Sequence, residues 1–149
     1  VASENRKTLA EFSSPSKVGN ERLIMDRVAQ AISVLSLPQS VVERLKTAVS
    51  EAAMNAIEHG NEGRPDVPVF VEVSALSHEV VIAITDQGGA EPDFGTEEPD
   101  IHAKLAGHQK PRGWGLYLIE SMVDDMRVTR DGPRHTVELV VRTGDNDDP

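Results

Sequence analysis

The chain has 149 residues, 38% hydrophobic and 27% charged, which suits one folded domain rather than a disordered or membrane-embedded chain. Cysteine is absent, excluding disulfides, thiolate catalysis and cysteine-ligated metal, and fitting a reducing, cytoplasmic setting. Twenty-five acidic against fifteen basic residues leave a net charge of -10. That charge repels phosphate backbones and no basic stretch offsets it, so no direct nucleic-acid partner is expected. No apolar run approaches the roughly 20 residues of a membrane span, so no membrane partner is expected either.

In chain order, residues 8–12 read as a short edge strand and 13–16 as a turn. Asn20 is placed to cap a helix over about 21–36, whose apolar stripe is Leu23, Ile24, Val28, Ala31, Ile32 and Leu35. A break at Leu37-Pro38 precedes a second helix over about 39–58, with Val41, Val42, Leu45, Ala48, Val49, Ala52, Ala56 and Ile57 inward. Its alanines admit a large neighbour, and Gly60 is expected as a left-handed C-cap. Alternating valines at 67–75 and 79–85 predict an antiparallel hairpin turning near His78. The stretch 86–112 lacks periodicity, and a loop that long in a compact domain is commonly functional, so about 91–112 reads as a lid. A third helix over about 113–124 and a hairpin at 127–130 and 136–141 follow, then an acidic tail at 143–149 expected to fray. Helices on one face of a mostly antiparallel, mixed sheet make an α+β fold: a single-domain two-layer α/β sandwich with three helices.

Three segments carry candidate chemistry. Glu51 and Asn55, four apart, share one face of the second helix, with Glu58 and His59 following. A carboxylate beside a carboxamide can serve an attacking hydroxyl and a hydrated magnesium ion. Asp86-Gln87-Gly88 ends a strand with an acid that can accept from an exocyclic amine, and a glycine that admits a planar base. Arg112-Gly113-Trp114-Gly115-Leu116 opens a helix, whose unpaired N–H groups suit phosphate. Taken singly, each has an ordinary structural reading: a solvated helix face, a capped turn, a loop-to-helix junction.

Together, in order around a lid, the three segments resemble the N box and two glycine boxes of the Bergerat-fold (GHKL) ATP-binding family. Within it the chain looks like the small anti-sigma factor serine/threonine kinases of the RsbW and SpoIIAB kind, from about residue 12 to 142. The resemblance implies ATP and Mg²⁺ as cofactors, with Asn55 holding the metal and Glu51 as catalytic base. It implies Asp86 binding the adenine amino group, Gly88 and Ala90 lining the base pocket, and Glu58 and His59 near the nucleotide. Gly113, Trp114, Gly115 and Leu116 would surround the phosphates, Arg112 would reach the γ-phosphate, and Thr136 would lie near the adenine. The implied function is that of an anti-sigma factor that phosphorylates a STAS-domain antagonist, sequesters a sigma factor and works as a homodimer. The alternative is a catalytically weak nucleotide-binding switch module.

Two positions depart from the family pattern. Ala90 stands where the first glycine box commonly has its last glycine, which stiffens that hinge. His135, not glycine, precedes Thr136. His78 reads as a turn residue, and His102 and His108 as lid residues.

Overall fold

The computed structural model describes residues 6–87 and 111–143, with the backbone alone at 111–116. Strand β1 (Lys7–Pro15) is followed by helices α1 (Glu21–Ile32) and α2 (Gln39–Asn55), then by the hairpin of β2 (Pro68–Leu76) and β3 (Glu79–Asp86). Helix α3 (Pro111–Met122) and a second hairpin, β4 (Asp125–Asp131) and β5 (Arg134–Arg142), complete the described chain. The sheet order is β1-β2-β3-β5-β4, and every pairing among the described residues is antiparallel.

The expected α+β sandwich is therefore present, with α2 central between α1 and α3. Its core joins Ile24, Val28 and Ile32 of α1 and Leu45, Val49 and Ile57 of the α2 segment to one face of the sheet. That face is Val69, Val71 and Val73 of β2, Val80, Ile82 and Ile84 of β3, and Leu139 and Val141 of β5. Each fully buried isoleucine or leucine contributes about 1.5–3 kcal/mol relative to exposure. Ala48, Ala52 and Ala53 on α2, and Ala56 just beyond it, are buried, and their small side chains let neighbours on both flanks approach closely.

Several expectations shift. The predicted turn at 13–16 is strand through Pro15, because Ser13, Ser14 and Pro15 pair with Phe70, Val69 and Pro68. Proline is tolerated there because β1 is an edge strand. Asn20 does not cap α1 with its side chain; its Nδ2 donates back to the Pro15 carbonyl at 3.0 Å. α1 stops at Ile32 and tightens into a 3₁₀ turn, closed by Ser36 in a left-handed conformation (φ 53°). Leu23, assigned to the buried stripe, is exposed.

His78 does lie in the β2–β3 turn, where its carbonyl accepts the Thr143 N–H at 2.9 Å. Thr143 is thus pinned rather than frayed; 144–149 lie outside the described residues. The β4–β5 turn is Gly132-Pro133, with Gly132 at φ 64° ahead of a proline, the φ signs of a type II′ hairpin turn.

Candidate functional site

The site is assembled where α2 and β3 end and β5 begins. Glu51 and Asn55, one turn apart near the end of α2, are both half-buried. Asn55 Nδ2 is buried without a hydrogen-bond partner among the described residues. A buried amide hydrogen left unpaired costs about 1–3 kcal/mol, so the position suits a ligand that offers the missing contact.

Beyond Asn55 the helix does not continue as α. It widens into a π-helical turn over Ala56–Gly60, closed by the Asn61 N–H donating to the Ala56 carbonyl at 2.8 Å. Such turns are rare and concentrate at functional sites. The chain then reverses through Glu62 (φ 55°) and Gly63 (φ 67°), so the left-handed residues are these and not Gly60. Glu58 and His59 lie on the exposed side of the turn.

Gly60 is glycine for a different reason. A Cβ built there would lie 2.3 Å from Asp86 Cγ, and 2.4 and 2.7 Å from its two oxygens. The missing side chain is the space in which the Asp86 carboxylate sits.

Asp86 is the last residue of β3, paired in register with His135 of β5, and both are buried. His135 Nδ1 lies 3.2 Å from Asp86 Oδ1. A carboxylate has only lone pairs to offer, so the ring nitrogen is the donor. Thr136, expected near the adenine, is on the other face of the sheet. It shares a 2.8 Å hydroxyl–hydroxyl hydrogen bond with Thr85, which lines an open groove of about 560 Å³ facing away from the helices. The reason is strand alternation: Val137, Leu139 and Val141 point into the core, so His135 does too and Thr136 cannot.

Asn61 is a residue that sequence reasoning passed over. Fully buried, it receives the Gln87 N–H on Oδ1 at 2.8 Å. Its Nδ2 donates to Ser16 Oγ at 2.8 Å and to the Val67 and Pro68 carbonyls. One side chain thereby ties the ends of β1, β2 and β3 to the turn after α2, and fixes the strand end that carries Asp86.

Arg112, Gly113, Trp114, Gly115 and Leu116 all fall in the first turns of α3, which begins at Pro111. Proline suits a first helical position because it has no N–H to satisfy. The N–H groups of that terminus left without an intrahelical acceptor are then those of Arg112 and Gly113. Gly88, Ala90 and the expected lid up to 110 lie outside the described residues.

Residues 14–141 match the family model described as the histidine kinase-like ATPase domain. The chain belongs to that family. Among curated relatives of this histidine kinase-like ATPase domain is an anti-sigma F factor of Clostridium botulinum (strain Eklund 17B / Type B). It is 32% identical over 133 residues, covering 89% of this chain and 90% of the relative. A serine-protein kinase RsbW of Bacillus subtilis (strain 168) is 30% identical over 118 residues, 76% of this chain and 71% of that one.

Two solved structures share the fold. One holds the RsbU and RsbW domains of a Mycobacterium tuberculosis protein, with TM-score 0.63 and 19% identity, covering 89% of this chain and 31% of that one. The other is the SiaB–SiaC complex of Pseudomonas aeruginosa, with TM-score 0.61 and 14% identity, covering 91% and 90%. The GHKL resemblance read from the three segments is the family found.

The described residues contain no group of three or more His, Asp or Glu able to hold a metal ion. A magnesium ion here would therefore take most of its ligands from phosphate oxygens and water, its usual habit. The buried Asn55 amide, whose oxygen and nitrogen can exchange places by a flip, fits one contact to such an ion or to its phosphate. Among the described residues no helix is long and apolar enough to cross a membrane.

Proposed function

We propose that this chain is an ATP-dependent protein serine/threonine kinase and anti-sigma factor, acting as a homodimer on a small STAS-domain antagonist of its own activity. The carrying observation is the Nδ2 atom of Asn55, buried with no partner among the described residues, one helical turn from the half-buried Glu51 carboxylate. It stands in a chain about a third identical to proteins named anti-sigma F factor and serine-protein kinase.

In this reading the adenine amine donates to Asp86, and the space kept open by Gly60 holds that carboxylate in place. Gly88 and Ala90 would line the base, with Glu58 and His59 at the rim. The Arg112 and Gly113 N–H groups meet phosphate at the start of α3, where the helix field favours anions, and Gly115 allows close approach. Trp114 and Leu116 would pack around the phosphates. Asn55 is the contact for Mg²⁺, which when bound neutralises charge on the β- and γ-phosphates.

Glu51 accepts the proton of the acceptor hydroxyl as its oxygen bonds to the γ-phosphorus. The bond from that phosphorus to the β,γ-bridging oxygen breaks and ADP leaves. Arg112 would steady the transferred group. The protein's contribution is chiefly position and charge.

The test is incubation of the chain with Mg-ATP and purified STAS-domain antagonists, read by phosphopeptide mass spectrometry. The expected result is phosphoserine or phosphothreonine on one antagonist, with one ADP formed per phosphate transferred. ATP binding without transfer to any of them would favour the sigma-sequestering switch module, the reading to which Ala90 lends itself.

A further inference from the structure

His135 is buried, with its side chain only 3% exposed, yet it is a poorly satisfied core residue. Nδ1 is committed to Asp86 at 3.2 Å, while Nε2 is buried with no partner among the described residues. A histidine kept only to fill the core would be expected to satisfy both nitrogens, because each buried unpaired polar atom costs about 1–3 kcal/mol. What the ring does accomplish is to hold a carboxylate. Its N–H engages one oxygen of Asp86 from the β5 side, while the backbone of Gly60 closes on the same group from the α2 side. The carboxylate is thereby held between β5 on one side and the turn after α2 on the other.

We propose that His135 is the positioning residue for purine recognition: through Nδ1–H it orients Asp86 toward the exocyclic amine of a purine nucleoside triphosphate. This rests on the reading of Asp86 as the base acceptor. His135 touches the base only through Asp86, so its removal must erode discrimination for the amine rather than nucleotide binding in general. A role confined to stability would weaken all nucleotides alike.

The experiment titrates the full chain, with Mg²⁺, against ATP and against purine riboside 5′-triphosphate, which carries hydrogen in place of the 6-amino group. It compares the parent with His135→Asn and His135→Gln. An asparagine amide nitrogen falls near the place of Nδ1, whereas a glutamine amide falls near Nε2. Both variants are polar and similar in size to the ring. The parent should prefer ATP by about tenfold or more, the worth of one hydrogen bond to a charged group. His135→Asn should keep that preference, and His135→Gln should lose most of it.

A preference unchanged in His135→Gln, or equal weakening of both nucleotides in both variants, overturns the proposal while leaving the nucleotide site standing. A parent that binds neither nucleotide overturns the nucleotide site, and the proposal with it.

Discussion

Replacing Glu51 with Gln is expected to lower phosphoryl transfer by about 10²–10⁴-fold, the usual worth of a positioned general base, while nucleotide affinity stays near that of the parent. The exchange is nearly isosteric and removes only the ability to take a proton. Glu51 lies half-buried on α2, so the helix and its apolar contacts are undisturbed. Asn55, one turn on, is untouched and keeps the contact proposed for it with metal and phosphate. Single-turnover transfer and equilibrium ATP titration of the same sample separate the two effects. Retained transfer in this variant would remove Glu51 from the chemistry and leave α2 with a binding role alone.

Gly60→Ala carries the second large effect, on affinity and stability together. The added methyl would sit 2.3 Å from Asp86 Cγ, so something must move. Asp86 cannot give way cheaply, because β3 pairs it with β5 and His135 holds Oδ1 on the far side. Overpacking of this kind typically costs about 1–3 kcal/mol. In a chain of this size that is a Tm lower by roughly 2–12 °C. ATP affinity should fall by about tenfold or more as the carboxylate is displaced.

Gly63→Ala is the control. Its φ of 67° strains any side chain, but a Cβ there meets nothing within 4 Å. It should cost about 1 kcal/mol of stability and leave ATP affinity unchanged. Thermal melts and ATP titrations of the two variants check both statements.

Most of the fold was legible because its signals are local and periodic. The i, i+4, i+8 spacing of Ile24, Val28 and Ile32, and the alternation of Val69, Val71 and Val73, each name a buried face without reference to any other segment. What escaped depends on contacts distant in sequence. Whether residues 13–15 are turn or strand is decided by β2, more than fifty residues on. The π-helical turn after Asn55 has no compositional mark. Asn61 looks like an ordinary turn residue until Ser16, Val67, Pro68 and Gln87 converge on it.

In the candidate site, Asp86 stood out through its place between strand and glycines, and Gly60 stood out for the wrong reason. A C-cap and a close approach both demand glycine, and sequence does not separate them. His135 could have been found. Extending the parity of Val137, Leu139 and Val141 back by one step puts position 135 on the helix side and 136 outside. The family resemblance, which implies Thr136 near the adenine, carries no such parity.

The central claim is that Asp86, packed against Gly60, and Asn55 belong to one nucleotide site. Calorimetric titration of the nucleotide-free chain with ATP and ADP, each with and without Mg²⁺, and with Asp86→Asn alongside, tests it most directly. The expected result is ATP binding strengthened by Mg²⁺ and weakened about 10- to 100-fold in Asp86→Asn, since a hydrogen bond to a charged acceptor is replaced by one to a neutral amide. Folded protein that binds neither nucleotide, or an Asp86→Asn variant that binds ATP as tightly as the parent, would contradict it.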